Sequence, residues 1–297
     1  MSNKGMSSIL AFESVSKSYK DHKALNQVSI AIPENSIFAL LGPNGSGKST
    51  LIKILAGLIT DWDGDIKFSD NTIRSNKKYI DNFGFIIEDP AFYNYLDARK
   101  NLQIFCRLTN TPFSRINEVL DIVGLINRQY DKVANFSYGM KQRLGIAQAL
   151  LHDPKILILD EPNNGLDPVG VNKIADIIYR LKHEGKTICI STHSLNEVDR
   201  LCSDVAILRN GNLVVNKNIN TTNDVKEYYR IETSDFQKCL DDLSRIDGLR
   251  VLSSQSNSII ISYNSKVLPL IEDGPLSDSP FVRSIHRESD LIEYYYD

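Results

Sequence analysis

The sequence predicts an α/β fold built on a mostly parallel sheet. A glycine-rich stretch at residues 42–50 follows a short apolar run and precedes an apolar, helix-like segment. Two later apolar runs end in polar residues, Asp160 and Glu161 in one and Thr192 and His193 in the other. Functional groups at the carboxyl ends of several short buried strands are typical of an open parallel sheet.

The bulk composition is that of an ordinary globular protein. Its 297 residues are 42% hydrophobic and 24% charged, with a formal net charge of −3. This length suggests one large domain or two modest ones. The slightly acidic balance gives no general attraction for nucleic acid, which we do not expect as a partner. The four cysteines lack metal-ligand spacing, and Cys189 and Cys202 lie in apolar runs typical of a reduced core.

The sequence also indicates where the protein works. The N-terminus has no signal-peptide apolar region, and no apolar run approaches the roughly 20 residues needed to span a bilayer. We therefore expect a cytoplasmic protein that reaches the inner face of a membrane only through a partner.

The segment before the glycine-rich stretch predicts two strands, residues 9–15 and 28–32, joined by a polar turn at 21–23. Tyr19 lies on this connection. Its side chain is suited to stack on a nucleotide base, and the alternative is a half-buried tyrosine at a strand end.

The glycine-rich stretch fits the phosphate-loop pattern G-x-x-x-x-G-K-[ST]. Its glycines permit a tight turn whose N–H groups converge on phosphate oxygens, Lys48 adds a positive charge, and Ser49 offers a hydroxyl to Mg²⁺. The predicted strand covers residues 36–41 and the predicted helix 51–58, whose N-terminus favours anions. The expected nucleotide-binding residues are Gly42, Pro43, Asn44, Gly45, Ser46, Gly47, Lys48, Ser49 and Thr50.

Residues 61–65 predict a turn, followed by short strands at 66–68 and 72–73. An apolar strand at 83–87 then ends at Glu88, and Asp89 and Pro90 force a loop. From about residue 96 to 151 the apolar spacing becomes helical, which indicates a helical insertion. Ser137 occupies an N-cap position within it.

The next two predicted strands, 156–159 and 187–191, bring their polar ends to the same edge of the sheet as the phosphate loop. Asp160 is expected near Mg²⁺, and Glu161 is expected to orient and polarise an attacking water. His193 is either a satisfied strand-end histidine or a catalytic group.

A helix from Pro168 to about residue 183, a short helix at 195–202 and a hairpin at 205–215 complete the first domain. The polar stretch 216–223 is typical of a linker. Beyond it, strands at 228–233 and 258–263, a helical stripe near 236–243 and a helix at 291–296 predict a small α+β unit. The expected domains are 8–215, with a helical subdomain at about 89–152, and 216–297.

Taken in order, these motifs resemble those of the ATPase subunit of an ATP-binding-cassette (ABC) transporter, over roughly residues 8–215. The most diagnostic is the stretch 136–143, Phe-Ser-Tyr-Gly-Met-Lys-Gln-Arg. The resemblance implies two subunits that sandwich two ATP molecules, and a separate integral-membrane permease. It implies that Ser137, Tyr138 and Gly139 form the signature stretch, in which Ser137 and the Gly139 N–H contact ATP held by the other subunit. It also implies that Tyr19 stacks on adenine, that Asp167 links the two sites and that His193 senses the γ-phosphate beside Glu161.

The chain departs from the usual family pattern at three places. Residues 136–140 replace the usual Leu-Ser-Gly-Gly-Gln, and residues 164–167 replace Ser-Ala-Leu-Asp. Glu88 stands where the family has a Gln that approaches Mg²⁺, so it is an expected metal-site residue. Together with the residues that follow it, Glu88 makes the chain resemble the bacitracin and lantibiotic resistance branch, which exports antimicrobial peptides.

Several alternatives remain open from the sequence. One is a non-transport ABC ATPase that acts on a macromolecule, and others are an exporter of lipids or other drugs and a regulatory module without turnover. A GTPase is disfavoured because no Asn-Lys-x-Asp motif is present. For a transporter, we expect the permease to dock near residues 88–95, where Phe92, Tyr93 and Tyr95 either anchor the interface or pack on the helical insertion.

Overall fold

The fold is described from a computed structural model, which covers residues 8–75, 77–219, 226–244, 246, 249–255, 257–264 and 280–296. The chain divides into two units, Met1–Ile219 and Asn220–Asp297. The strands of the first unit are β1 (Ser8–Tyr19), β2 (His22–Pro33), β3 (Ile37–Leu41), β4 (Asp63–Phe68), β5 (Asn71–Thr72), β6 (Phe83–Ile86), β7 (Ile156–Asp160), β8 (Thr187–Thr192), β9 (Asp204–Arg209) and β10 (Asn212–Asn218). Its α-helices are α1 (Lys48–Leu55), α2 (Ala98–Leu108), α3 (Arg115–Ile122), α4 (Tyr138–Leu150), α5 (Pro168–His183) and α6 (Leu195–Leu201).

A six-stranded sheet in the order β10-β9-β3-β8-β7-β6 forms the centre of the first unit. All neighbouring pairs are parallel except β10, which pairs antiparallel with β9. Every residue of β3, β7 and β8 is buried, as expected for parallel strands covered on both faces. The predicted α/β fold with a mostly parallel sheet is therefore confirmed.

A second sheet in the order β2-β1-β4-β5 is antiparallel. Its inward side chains form one apolar core with helix α1 and part of the parallel sheet, including Leu10, Ile30, Phe38 and Leu51. Helix α1 is consequently held between apolar side chains from both sheets.

Helices α2, α3 and α4 form the helical region between β6 and β7, and they share a separate apolar core with α5. Close backbone contact connects this region to the sheet. A Cβ added to Gly84 in β6 would lie 2.4 Å from the carbonyl oxygen of Ala149 in α4, so only glycine fits there without a shift.

The second unit contains the antiparallel sheet β12-β13-β11-β14. Its elements are β11 (Lys226–Thr233), α7 (Phe236–Ser244), β12 (Leu249–Gln255), β13 (Ser258–Asn264), β14 (Val282–Glu288) and α8 (Ile292–Tyr296). Apolar residues of α7, among them Cys239 and Leu243, pack with Ile231, Ile259 and Ile261 of the sheet.

Some predicted boundaries were wrong. Strand β1 continues to Tyr19, and strand β2 begins at His22. The polar residues that suggested a longer turn belong to this hairpin, which contains several register shifts. Strand β4 begins at Asp63, within the predicted turn at 61–65. Strands β12 and β14 were not predicted, since neither has a strict apolar alternation.

The cysteines are free, and Cys106, Cys189 and Cys239 are buried. Burial raises the pKa of Cys189 to about 12, which keeps it a thiol.

Candidate nucleotide site

The phosphate loop runs from the end of β3 to the start of α1 in a shape that requires glycine. Gly45 and Gly47 have φ values of +79° and +110°. A Cβ on Gly42 would lie 2.2 Å from the Leu208 carbonyl oxygen, and one on Gly47 would lie 2.7 Å from the Ala24 carbonyl oxygen. The loop therefore has no room for side chains at these two positions.

Lys48 is only 5% exposed, and it begins α1. Its Nζ donates hydrogen bonds to the carbonyl oxygens of Gly42 at 2.7 Å and Pro43 at 3.2 Å. Burial lowers the pKa of Lys48, while the nearby carboxylates of Glu161 and Asp160 oppose that shift. An anionic ligand in the cavity would therefore stabilise the charged form of Lys48.

The loop opens into a cavity of about 540 Å³. It is lined by Tyr19, His22, Ala24, Asn44, Gly45, Ser46, Gly47, Lys48, Ser49, Thr50, Glu161, Asn164 and His193. The structure thus brings together the predicted base-stacking tyrosine, most of the phosphate loop, Glu161 and His193. His22 and Asn164 were missed, because nothing in their local spacing points to a ligand.

Glu161 lies immediately after β7, with a φ of +47° that is uncommon for a residue with a side chain. Its backbone N–H donates to both the carbonyl oxygen and the Oγ of Ser191, each at 3.1 Å. One carboxylate oxygen lies 3.7 Å from Lys48 Nζ, and the other lies 2.8 Å from His193 Nδ1. The Glu161 side chain is therefore held at the cavity between a cation and an imidazole.

Ser191 was not predicted as a site residue. It is fully buried near the end of β8, and its hydroxyl donates to Asp160 Oδ1 while accepting from the Glu161 N–H. One hydroxyl thus connects both carboxylate residues to β8, the strand that directly precedes His193.

Glu197 is a second residue that sequence reasoning missed. Its carboxylate accepts from Thr192 Oγ1 and from Asn163 Nδ2, each at 2.6 Å. Burial raises the pKa of Glu197. It joins the turn after Glu161 to the strand end before His193. The Ser194-x-x-Glu197 spacing is a helix-capping signal, which would have indicated the start of α6 but not this cross-link.

The residues of the predicted signature stretch, 137–139, lie outside the cavity lining. Ser137 is the N-cap of α4, where its side chain accepts from the Met140 N–H at 3.3 Å. Asp167 is the N-cap of α5 and accepts from the Gly170 N–H at 2.7 Å. Among the described residues, the cavity lining includes neither of them, nor Tyr138 and Gly139.

Glu88 was predicted beside Mg²⁺, but the structure pairs it with a lysine. Its Oε1 lies 2.8 Å from Nζ of Lys53 on α1, and its side chain is 72% exposed. This hydrogen bond raises the pKa of Lys53. Within the described part of the chain, Glu88 is not among the cavity-lining residues.

The loop after Glu88 divides its aromatic residues between two environments. Phe92 is partly buried against the core of the helical region, which matches the packing alternative. Tyr93 and Tyr95 are exposed, and their rings contact each other edge to face at 6.0 Å.

The site offers oxygen donors for Mg²⁺. The residues that the structure describes contain no cluster of three or more His, Cys, Asp or Glu side chains suited to hold a metal ion. Ser49 lines the cavity and Asp160 ends β7, so the available donors are a hydroxyl and a carboxylate. Such oxygen donors fit Mg²⁺, which characteristically takes few protein ligands and fills its coordination with phosphate oxygens and water.

Fold and cavity together define a phosphate-loop nucleotide hydrolase. A family model described as "ABC transporter" matches residues 25–164. The ABC transporter ATP-binding protein YhcH of Bacillus subtilis (strain 168) is 37% identical over 270 residues, which are 90% of this chain and 87% of that protein.

Two further relatives have transport named in their descriptions. The lantibiotic transport ATP-binding protein SrtF of Streptococcus pyogenes is 39% identical over 221 residues, 74% of this chain and 96% of that protein. The bacitracin transport ATP-binding protein BcrA of Bacillus licheniformis is 42% identical over 212 residues, 70% of this chain and 69% of that protein.

Two solved structures of similar fold also come from ABC proteins. CbiO1 of Clostridium perfringens, part of the transporter complex cbiONQ, has a TM-score of 0.66 and 29% identity, covering 71% of this chain and 88% of that one. The ATP-binding cassette MJ0796, a dimer in a post-hydrolysis state with ADP and Pi, has a TM-score of 0.63 and 25% identity, covering 70% and 98%.

The chain belongs to the ABC transporter ATP-binding family and is an ATP-hydrolysing transporter subunit. In the described residues, no helix combines the length and the apolar character required to cross a bilayer.

Proposed function

We propose that this chain powers the export of an antimicrobial peptide, and that Glu161 is the general base for ATP hydrolysis. The observation that carries the catalytic assignment is the position of Glu161 at the cavity, with Lys48 Nζ at 3.7 Å and His193 Nδ1 at 2.8 Å. A carboxylate held in this way can accept the proton of an attacking water, and the neighbouring imidazole fixes the orientation of that carboxylate.

In this proposal the residues divide the work of binding. The N–H groups of the phosphate loop and the Lys48 ammonium bind the β- and γ-phosphates, and the exposed ring of Tyr19 stacks on adenine. Ser49 and Asp160 would hold Mg²⁺, which supplies charge neutralisation on the phosphate oxygens when bound. His193 holds one oxygen of Glu161 and, from the other side of its ring, is placed to sense the γ-phosphate.

Two copies are needed to complete each site. Ser137 and the Gly139 N–H begin α4 and lie outside the cavity lining of their own subunit, so we assign them to the ATP bound by a second copy. A helix N-terminus is suited to this contact, since its N–H groups and dipole favour phosphate. Asp167, which caps α5, is assigned to the connection between the two sites. The dimeric MJ0796 cassette supports this arrangement.

Relatives whose names specify lantibiotic or bacitracin transport support the proposed transported class. Glu88, whose carboxylate pairs with Lys53 in this structure, is assigned to the metal side of the site. The permease is assigned to the loop that carries the exposed Tyr93 and Tyr95, and nucleic acid is not assigned as a partner. In this assignment the protein is cytoplasmic and peripheral at the inner membrane face.

The catalytic proposal is tested with Glu161→Gln, measured as phosphate release by the full-length protein. We expect ATP binding and an ATP-stabilised dimer to persist, with turnover reduced at least about 10²-fold, the lower end of a general base's contribution. Glu184→Gln, the same change at the exposed C-cap of α5, is the matched control and should retain turnover. Hydrolysis by Glu161→Gln near the wild-type rate would reject the assignment.

The substrate class needs its own measurement. Cells lacking the gene are complemented with the wild-type chain or with Lys48→Ala and challenged with lantibiotics, bacitracin and unrelated drugs. Selective restoration of peptide resistance by the wild type supports the proposal, whereas restored resistance to apolar drugs alone would favour a different exporter.

A further inference from the structure

Tyr138 contacts parts of three different motifs. It is the first residue of α4, and its hydroxyl donates to Asp89 Oδ1 at 2.6 Å. Gln142, one turn further along α4, donates to the same hydroxyl at 3.3 Å. The hydroxyl therefore connects the start of the signature helix to the residue that directly follows Glu88.

The ring of Tyr138 makes the third contact. A Cβ added to Gly165 would lie 3.4 Å from Tyr138 Cε1 and 3.9 Å from its Cζ, so the ring packs on the backbone of the turn at 164–167. The neighbouring Gly139 is equally close, since a Cβ there would lie 3.4 Å from Leu166 Cδ2. The turn that carries Asp167 is thus seated on the first turn of α4.

These contacts depend on the aromatic side chain of Tyr138, because a residue without a phenol can form neither the hydrogen bond to Asp89 nor the ring contact with Gly165 in full. Asp89 adjoins Glu88, whose φ is +67° and whose carboxylate pairs with Lys53. The residue that accepts from the Tyr138 hydroxyl is therefore the direct chain neighbour of Glu88.

We propose that Tyr138 is a positioning residue that keeps the loop after Glu88, the start of α4 and the turn at 164–167 in one arrangement. The signature stretch of one subunit then reaches the ATP of the other only when the loop after Glu88 is in place. The first part concerns contacts within one chain, and the second rests on the proposed ATP-sandwich dimer.

The test removes each half of the hydrogen bond in the full-length chain. Tyr138→Phe keeps the ring and removes the hydroxyl, and Asp89→Ala removes the acceptor. Asp89→Asn retains an oxygen acceptor and should recover most of the loss. Tyr130→Phe is the matched control, because it removes a hydroxyl from an exposed tyrosine in the same helical region.

Two measurements separate the parts of the proposal. Hydrogen exchange on the nucleotide-free chain should show faster exchange at residues 164–167 in both Tyr138→Phe and Asp89→Ala. In a Glu161→Gln background, each variant should raise the ATP concentration for half-maximal dimerisation by about three- to tenfold, and the double variant should add nothing further. Melting temperatures close to that of the wild type would exclude a merely structural loss.

The outcomes are distinguishable. Unchanged exchange at 164–167, or additive effects in the double variant, would overturn the role of Tyr138. If Glu161→Gln alone fails to dimerise with ATP, the sandwich dimer is wrong, and the exchange data still decide the contacts within one chain.

Discussion

Removing the Ser191 hydroxyl is expected to lower the stability of the first unit more than removing a buried serine hydroxyl whose acceptor is neutral. The Ser191 side chain is fully buried, and its Oγ donates to Asp160 Oδ1 and accepts from the Glu161 N–H at 3.1 Å. In Ser191→Ala, Asp160 loses a donor in a buried setting. The Glu161 N–H keeps the Ser191 carbonyl oxygen at 3.1 Å, so no backbone donor is left unpaired.

The magnitude follows from the charge of the acceptor. A hydrogen bond to a charged group contributes about 1.5–3 kcal/mol, whereas a neutral one contributes about 0.5–1.5 kcal/mol. At about 2–4 °C per kcal/mol for a domain of this size, Ser191→Ala should lower the melting temperature of the first unit by about 3–12 °C. Mg²⁺-dependent hydrolysis should fall as well, because Asp160 loses its fixed orientation.

Ser36→Ala is the matched control. Ser36 is also buried, but its Oγ donates at 2.7 Å to the neutral carbonyl oxygen of Pro33. Thermal unfolding of both variants, followed by circular dichroism without nucleotide, compares one hydroxyl deletion with the other. A loss in Ser191→Ala no larger than that in Ser36→Ala would refute the reasoning that the charged acceptor decides the cost.

Three further perturbations are expected to have measurable effects. Burial raises the pKa of Glu197, so wild-type stability should fall as pH rises from the ordinary glutamate value through the raised one; denaturant unfolding followed upward from mildly acidic pH should show a smaller fall for Glu197→Gln, and parallel curves would contradict this. Gly84→Ala should cost about 1–3 kcal/mol by overpacking, because the new Cβ would lie 2.4 Å from the Ala149 carbonyl oxygen; an unchanged urea midpoint would be inconsistent with that contact. Lys53→Met should alter stability by at most about 1 kcal/mol, because its ion pair with Glu88 is exposed. The same change should lower the Mg²⁺ concentration needed for half-maximal hydrolysis, because it frees the Glu88 carboxylate. An unchanged Mg²⁺ titration would argue that the ion pair does not keep Glu88 away from the metal site.

The features that could be predicted from the sequence are those whose residues are adjacent in the chain. The phosphate loop, the strand that precedes it and the helix that follows are adjacent in the chain, so glycine spacing and apolar periodicity were sufficient to identify them. Glu161 and His193 were singled out because each lies just beyond a short apolar run, after Asp160 and Thr192 respectively.

What could not be predicted depends on partners that are distant in the chain. Ser191 meets Asp160 across 31 residues, and Glu197 meets Asn163 across 34. A serine or glutamate has no spacing that reveals such a contact. For Glu88, the strand-end pattern was informative about the backbone, but its Lys53 partner lies 35 residues upstream.

The close backbone approaches described above also limit how this protein can change over evolutionary time. At Gly42, Gly47 and Gly84, the atom nearest to an added Cβ is a main-chain carbonyl oxygen, whereas at Gly145 it is the Pro90 side chain. A side-chain obstacle can be removed by a second mutation, but every amino acid carries the same carbonyl oxygen. Compensatory mutations should therefore be obtainable for a substitution of Gly145 and rare for substitutions of the other three glycines. The contact between α4 and Pro90 can consequently change in sequence, whereas the phosphate loop cannot.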